Sequence, residues 1–452
     1  MPEVKNKFDI RLRELKLSNF RRFEDLSISF DRQLTVFIGR NGTGKTTVLD
    51  GVASLMKFLI DKIRREPVNL KGSLNDRDIR NGTKEAVNTL TIYFEKENSE
   101  ASPKRGIKES DEGYIETGVE LTWYGSLTKA GFDPEEITEA NAFTDFDNII
   151  SAIEKQLKRE EPSSLPVIVY YRCDYATDAP AANGEMISTE AFNAYDNALS
   201  TRSFDFRQFS EWYKWREDLA RDTKNGRDQL REITEQAVCI LLSDGKNKFT
   251  LLRTRALTTG IGYELTVSKN GESLSVNQFS SGEKMLFALV ADLARRLALA
   301  NPGVEKPLEG NGIVLIDEID LHLHPGKQRE VLPKLLEIFP NVQFVVTTHS
   351  PVVLADFDRE NIRILSDNGI VETPHVKGRD YVSILFEFMG VPQRPTSAQH
   401  EIDELFQLFE KEDFGAKELK IAQQKIAMMK KQFGNNDPDL LKAESMLHVI
   451  SN

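Results

Sequence analysis

The sequence predicts an α/β protein with a buried sheet at its core, and three stretches predict it. "LTVFIG" (34–39) is a compact apolar run that passes into the glycine-rich "GRNGTGKTT" (39–47) and then into a helical pattern. "GIVLIDE" (312–318) is a second apolar run and ends in two carboxylates. "VQFVVTTHS" (342–350) is a third. Runs that are apolar throughout, rather than alternating, belong to strands covered on both faces.

The elements follow in order. Residues 11–18 and 26–30 read as two short strands around the polar break "NFRRFED". After the buried strand at 34–39, a helix carries Leu49, Val52, Leu55, Met56 and Leu59 on one face. Residues 87–95 and 114–124 alternate like half-buried strands, with a charged loop between them. From 125 to 235 charged helical stretches alternate with loops, which reads as a largely helical insertion. Asn270-Gly271 sits between two alternating runs, a hairpin signal. "NQFSSGEKMLFALVADLARR" (277–296) opens as a small-residue turn and becomes an amphipathic helix. A further helix joins the runs at 312–318 and 342–350. After about residue 395 the chain is charged and helical in pattern, broken by a turn at "GNNDPD". The expected segments are a first half-domain (1–100), the insertion (101–235), a second half-domain (236–395) and a helical tail (396–452).

Composition narrows the class. Hydrophobic residues make up 40% and charged residues 29% of 452, as in a soluble globular protein. No apolar run reaches the roughly 18–20 residues of a membrane helix, and the N-terminus lacks the apolar core of a signal peptide. Cys173 and Cys239 are far apart and form no CxxC, which fits a reducing cytoplasm. A net charge of −12 argues against nucleic-acid binding by the whole surface and leaves room only for a local basic patch.

The chemistry starts at "GRNGTGKTT", which fits G-x-x-x-x-G-K-[ST] between a buried strand and a helix. Gly39, Gly42 and Gly44 let the backbone curl with its N–H groups inward. Lys45 places a point charge on the β- and γ-phosphates of ATP, and Asn41 and Thr47 complete the lining. The Thr46 hydroxyl should ligate Mg²⁺, with Asp317 holding the same ion directly or through water. Glu318 would polarise the attacking water as general base. Ser280, Ser281 and Gly282 sit at a helix mouth, where unpaired N–H groups attract an anion.

The order of these motifs resembles that of ABC-type ATPase heads, and more closely the SMC, RecF and OLD branch, where the signature ends in Gly-Glu-Lys, as "FSSGEK" does here. The resemblance covers roughly half the chain, residues 10–100 and 240–360. It implies a P-loop NTPase fold of ABC-head type: a mixed sheet core with an antiparallel β subdomain. It also implies that Ser280, Ser281, Gly282 and Glu283 serve not their own nucleotide but one held by a second copy, in a head-to-tail dimer or higher even oligomer. Asp320 matches the dimer-contacting D-loop, and His349 the switch histidine that senses the γ-phosphate. Arg21 matches an arginine that touches the nucleotide phosphates, with Arg22 as the alternative. The family's glutamine loop has no counterpart that can be assigned. His322 and His324 read as packing or hydrogen-bonding groups beside the dimer interface rather than as a metal pair.

The rest of the chain chooses the branch. The gap between the two halves is too short for an SMC coiled coil, and no zinc hook is present. The segment after His349 lacks the clustered carboxylates of a Toprim nuclease. What remains resembles the PtuA-type ATPases of Septu antiphage systems, whose relatives accompany some retrons. That resemblance implies a separate HNH nuclease subunit of the PtuB type and a role in defence against phage. The chain itself is expected to be an ATPase, its Asp317-Glu318 pair compatible with slow turnover, with no nuclease site of its own and with DNA or RNA as a possible further partner. The alternative is a RecF-like repair ATPase that binds DNA without a nuclease.

Overall fold

The computed structural model describes residues 6–64, 66, 76–98, 119–128, 131–133, 151, 164–173, 191–200, 204, 206–223, 226–257, 262–354, 356–367, 369–371, 373–379, 383–384, 386, 394–411 and 414–451. The chain divides into two units, Met1–Gly378 and Arg379–Asn452.

Among the described residues the first unit holds three sheets. The central one has the order β14-β13-β3-β12-β11-β7. It comprises β3 (Leu34–Ile38), β7 (Val167–Tyr171), β11 (Gly312–Ile316), β12 (Val342–Thr348), β13 (Ile362–Ser366) and β14 (Gly369–Val371). Neighbours run parallel except β14, which is antiparallel to β13. Every residue of β3, β7, β11 and β12 is buried, as continuous apolar runs require. The three runs that predicted the sheet thus lie side by side as β3, β12 and β11.

A second, antiparallel sheet has the order β2-β1-β4-β5-β6. Its strands are β1 (Asn6–Phe20), β2 (Phe23–Ser29), β4 (Glu85–Asn98), β5 (Val119–Thr128) and β6 (Gly131–Asp133). Helix α1 (Lys45–Arg64) packs between this sheet and the central one, touching β1 and β4 on one side and β12 and β7 on the other. Gly51 permits the closest approach: a Cβ there would meet Leu17 at 2.9 Å. The third sheet, β10-β9-β8, contains β8 (Phe249–Ala256), β9 (Tyr263–Lys269) and β10 (Glu272–Ser275). The Asn270-Gly271 turn has φ of 52° and 89° and pairs Lys269 with Glu272, as the hairpin signal predicts.

Helices α2 (Phe206–Asp222), α3 (Gln229–Leu242), α4 (Ser281–Ala300) and α5 (Pro325–Ile338) complete this unit. From Leu286 to Ala300 every residue of α4 is buried. That burial includes charge: Asp292, 1% exposed, pairs with Arg295 at 3.2 Å and with Arg296 at 2.6 Å, and accepts the Tyr171 hydroxyl at 2.9 Å. Arg296 also donates to the carbonyls of Ala194 and Asp196.

The span expected as an insertion, 101–235, supplies strands to two of these sheets as well as helices. β5 extends the antiparallel sheet, and β7 forms the edge of the central sheet beside β11. "VIVYY" is five apolar residues in a charged neighbourhood, and its partner lies far along the chain. Residues 114–118 of the predicted strand fall outside the described residues. The unit boundary at Gly378 also precedes the expected start of the tail at 396. In the second unit α6 (Thr396–Phe409), α7 (Ala416–Phe433) and α8 (Pro438–Ser451) bury Ile402, Leu405, Ala422, Ile426, Met429, Leu440, Ala443 and Leu447 against one another.

Candidate nucleotide site

The phosphate loop is the turn between β3 and α1. Its glycines are needed for different reasons. Gly42 and Gly44 have φ of 78° and 100°, a left-handed backbone that glycine adopts freely. Gly39 needs space instead: a Cβ would lie 2.3 Å from the Leu365 carbonyl on β13. Asn41, Gly42 and Thr46 are exposed, whereas Lys45 and Thr47 are buried. Lys45 curls over the loop, its Nζ donating to the carbonyls of Gly39 (2.8 Å) and Arg40 (3.1 Å). Burial pushes its ammonium down to about 8, against the opposite pull of Asp317, Glu318 and Asp320.

The carboxylates arrive from β11. Asp317, 4% exposed, accepts the Thr46 hydroxyl at 2.9 Å through Oδ2 and the Thr347 hydroxyl at 2.6 Å through Oδ1. Its own N–H donates to the Tyr171 carbonyl at 2.8 Å. Glu318 has φ of 53°, an unusual conformation for a non-glycine residue and one that clusters at functional sites. Its N–H donates to the Thr347 hydroxyl oxygen at 2.8 Å. One strand-end threonine therefore orients both acidic residues.

The next threonine does the same for Asp320. Its Oδ1 accepts the Thr348 hydroxyl at 2.6 Å and the His349 N–H at 3.2 Å. Gln328 of α5 donates to the carbonyls of Asp320 and Leu323, and accepts from the Ser350 hydroxyl at 2.7 Å. The half-buried His349 is lowered from its ordinary pKa by burial and by Lys45, while Asp320 and Asp317 pull the other way. The net direction favours the neutral imidazole. Lys45, Thr46, Asp317, Glu318, Asp320 and His349 form one neighbourhood.

Ser280 to Glu283 lie elsewhere. Ser280 caps α4, and Glu283 closes a capping box by accepting the Ser280 N–H (3.0 Å) and hydroxyl (2.9 Å). Lys269 of β9 clamps Glu283 at 2.8 Å. Burial raises the Glu283 pKa, but these hydrogen bonds outweigh it and leave the group below its ordinary value. Gly282 meets the segment after Asp320 so closely that a Cβ would lie 2.5 Å from the His322 carbonyl. A cavity of about 500 Å³ opens here, lined by Ser280, Gly282 and Glu283 together with His322, His324 and Lys327. None of residues 39–47 lines it. His322 and His324 are exposed, and among the described residues no cluster of three or more histidine, cysteine or acidic groups gathers to hold a metal.

Arg21 is not at the phosphate loop. Its guanidinium is bound by Asp50 at 2.6 Å and Asp78 at 2.7 Å. Arg22 reaches the loop instead, donating to the Gly42 carbonyl and pairing with Asp367 at 2.6 Å. Arg21 has φ of 51° in the turn between β1 and β2. Thr347 and Thr348 were also not legible as site residues, since threonines in an apolar strand look like ordinary β-formers.

Known proteins share this plan. A model of the AAA-domain family matches residues 14–254, more than half the chain. A second, "AAA domain, putative AbiEii toxin, Type IV TA system", matches 173–355. The chain is 28% identical to the Retron Ec83 probable ATPase of Escherichia coli, over 96% of this chain and 86% of that one. It is 30% identical to the Retron Vc95 probable ATPase of Vibrio cholerae, over 80% and 74%. It is 22% identical to the Septu protein PtuA of Bacillus thuringiensis, over 84% and 81%. The phosphate loop, the carboxylate-bearing strand beside it and these likenesses together place the chain in the AAA-domain ATPase family, among ATPases of the retron and PtuA kind.

Proposed function

We propose that this ATPase is the nucleotide-driven switch of an antiphage defence complex. Two copies close head to tail on two ATP molecules and thereby control a separate HNH-type nuclease. One observation carries the reading. The chain has a phosphate cradle around Lys45 and a second anion-seeking helix mouth at Ser280–Glu283, and that mouth belongs to a different cavity. A nucleotide in the cradle has Ser281 and Gly282 to cap it only if a second copy brings them.

Each residue then has a defined task. Lys45 leaves the Gly39 and Arg40 carbonyls for the β- and γ-phosphates. Thr46 and Asp317 offer a hydroxyl and a carboxylate oxygen 2.9 Å apart, a donor set that suits a hard cation such as Mg²⁺. The ion, when bound, neutralises charge on the phosphates. Glu318, held at its backbone by Thr347, accepts a proton from the attacking water. His349 donates a ring N–H to a γ-phosphate oxygen. Asp320 and the segment pinned by Gln328 sit beside the signature cavity, where a second copy would meet them.

The test is Glu318→Gln. Hydrolysis should fall by roughly a hundredfold or more, while ATP still binds and the dimer accumulates in light scattering. Normal turnover by this variant would remove Glu318 from the role. Isolation of the tagged chain from its native operon, followed by mass spectrometry, tests the partner. A stoichiometric HNH protein supports the defence reading. ATP-dependent DNA binding by the chain alone, with no nuclease recovered, would favour the RecF-like alternative.

A further inference from the structure

Asp50 is a site-adjacent carboxylate without a role in the chemistry above. It lies one turn along α1 from Thr46, on the same helix face, and is 8% exposed. It holds two guanidinium groups at once: Arg21 at 2.6 Å on Oδ2 and Arg172 at 2.5 Å on Oδ1. The two arginines come from different sheets, Arg21 from the β1–β2 turn and Arg172 from the end of β7.

Arg172 is placed with some precision. It directly follows Tyr171, whose carbonyl accepts the Asp317 N–H. Its guanidinium lies 4.3 Å from the centre of the Tyr170 ring. A planar group stacked on a ring and clamped by a carboxylate has few alternative positions. Its Nε is nevertheless buried and, among the described residues, lacks a hydrogen-bond acceptor. A buried donor left unpaired is costly, so ordinary hydrogen-bond satisfaction does not account for this arrangement. Arg21, in contrast, keeps Asp78 whether or not Asp50 is present.

We propose that Arg172 is a positioning residue for ATP hydrolysis, acting through Asp50. The Asp50–Arg172 pair ties the phosphate-loop helix to the strand end that also fixes the Asp317 backbone. Thr46 on α1 and Asp317 after β11 form the two halves of the cation site, so their separation depends on how α1 is rotated against the sheet. The pair is the strut that sets that rotation. Without it, α1 keeps its packing and the phosphate loop keeps its N–H groups, so ATP still binds. The reacting geometry loosens, so turnover slows.

The inference rests on ATP occupying the Lys45 loop, and the experiment separates the two claims. ATP affinity, kcat and melting temperature are measured for wild type, Lys45→Ala, Arg172→Ala, Arg172→Lys, Asp50→Asn and the Asp50→Asn/Arg172→Ala double variant. Arg172→Ala should lower kcat about tenfold while the ATP dissociation constant moves by less than about twofold. Asp50→Asn should do the same, and the double variant should be no slower than either single one. Arg172→Lys should recover part of the rate, since it keeps the charge but loses the planar stack. Retained ATP binding by Lys45→Ala would overturn the site assignment itself. Wild-type kcat in Arg172→Ala, equal losses in affinity and kcat, or multiplying losses in the double variant would overturn the strut alone. If Arg172→Ala does not fold, Arg172→Lys with Asp50→Asn gives the same cycle.

Discussion

At the scale of single residues, the site depends on hydroxyl groups as much as on charges. The Thr347 oxygen donates to Asp317 and accepts from the Glu318 N–H. Thr347→Val keeps the shape and removes both bonds. It should destabilise the protein by about 1–3 kcal/mol and lower kcat by roughly ten- to a hundredfold. Calorimetry and a phosphate-release assay would check this, and unchanged kcat would deny the threonine its orienting role. The sequence made the phosphate loop and the two carboxylates legible, because strand, glycines, lysine and helix follow each other without interruption. It did not reveal Thr347, whose partners are 29 and 30 residues away in the chain. Nor did it decide between Arg21 and Arg22, since that choice depends on the partners the fold brings to each: Asp50 and Asp78 to Arg21, the Gly42 carbonyl and Asp367 to Arg22.

At the scale of elements, helix α4 carries the capped Ser280–Glu283 turn at one end and a buried charge cluster within. Asp292 pairs with both Arg295 and Arg296 and anchors Tyr171 of β7. Removing one member of a buried ion cluster leaves the others uncompensated, so Asp292→Ala should cost about 3–5 kcal/mol. Urea unfolding would measure it, and a loss below about 1 kcal/mol would show the cluster to be far wetter than its burial indicates. The turn between α7 and α8 gives a pH-dependent counterpart. Arg394, together with the N–H groups of Leu440 and Asp439, holds the Asp437 carboxyl below its ordinary range, despite burial acting the other way. A depressed carboxylate stabilises the fold fully above its unfolded pKa of about 3.9 and loses that contribution as pH falls through the folded value. Asp437→Asn should therefore weaken the full-length chain at pH 7 and make little difference near about pH 2. A stability gap equal at both pH values would contradict this. Elements with local signals were legible: the Asn270-Gly271 hairpin, the capped α4 and the break at "GNNDPD". β7 was not, because a five-residue apolar run acquires its meaning only from β11, well over a hundred residues later.

At the scale of the whole molecule, the central claim is that one chain does not complete an ATP site. Lys45 curls over the phosphate loop, and the cavity lined by Ser280, Gly282 and Glu283 includes none of residues 39–47. The completing surface is therefore sought on a second copy. Mixing two variants tests this directly. Lys45→Ala removes the cradle and spares the helix mouth. Ser281→Arg blocks the mouth, at an exposed position, and spares the cradle. Each alone should be inactive. In an equal mixture half of the dimers are hybrids with one intact composite site, so activity should return to about a quarter of wild type. A Ser281→Arg chain that hydrolyses ATP at the wild-type rate by itself would contradict the account, because the site would then need nothing from a second copy.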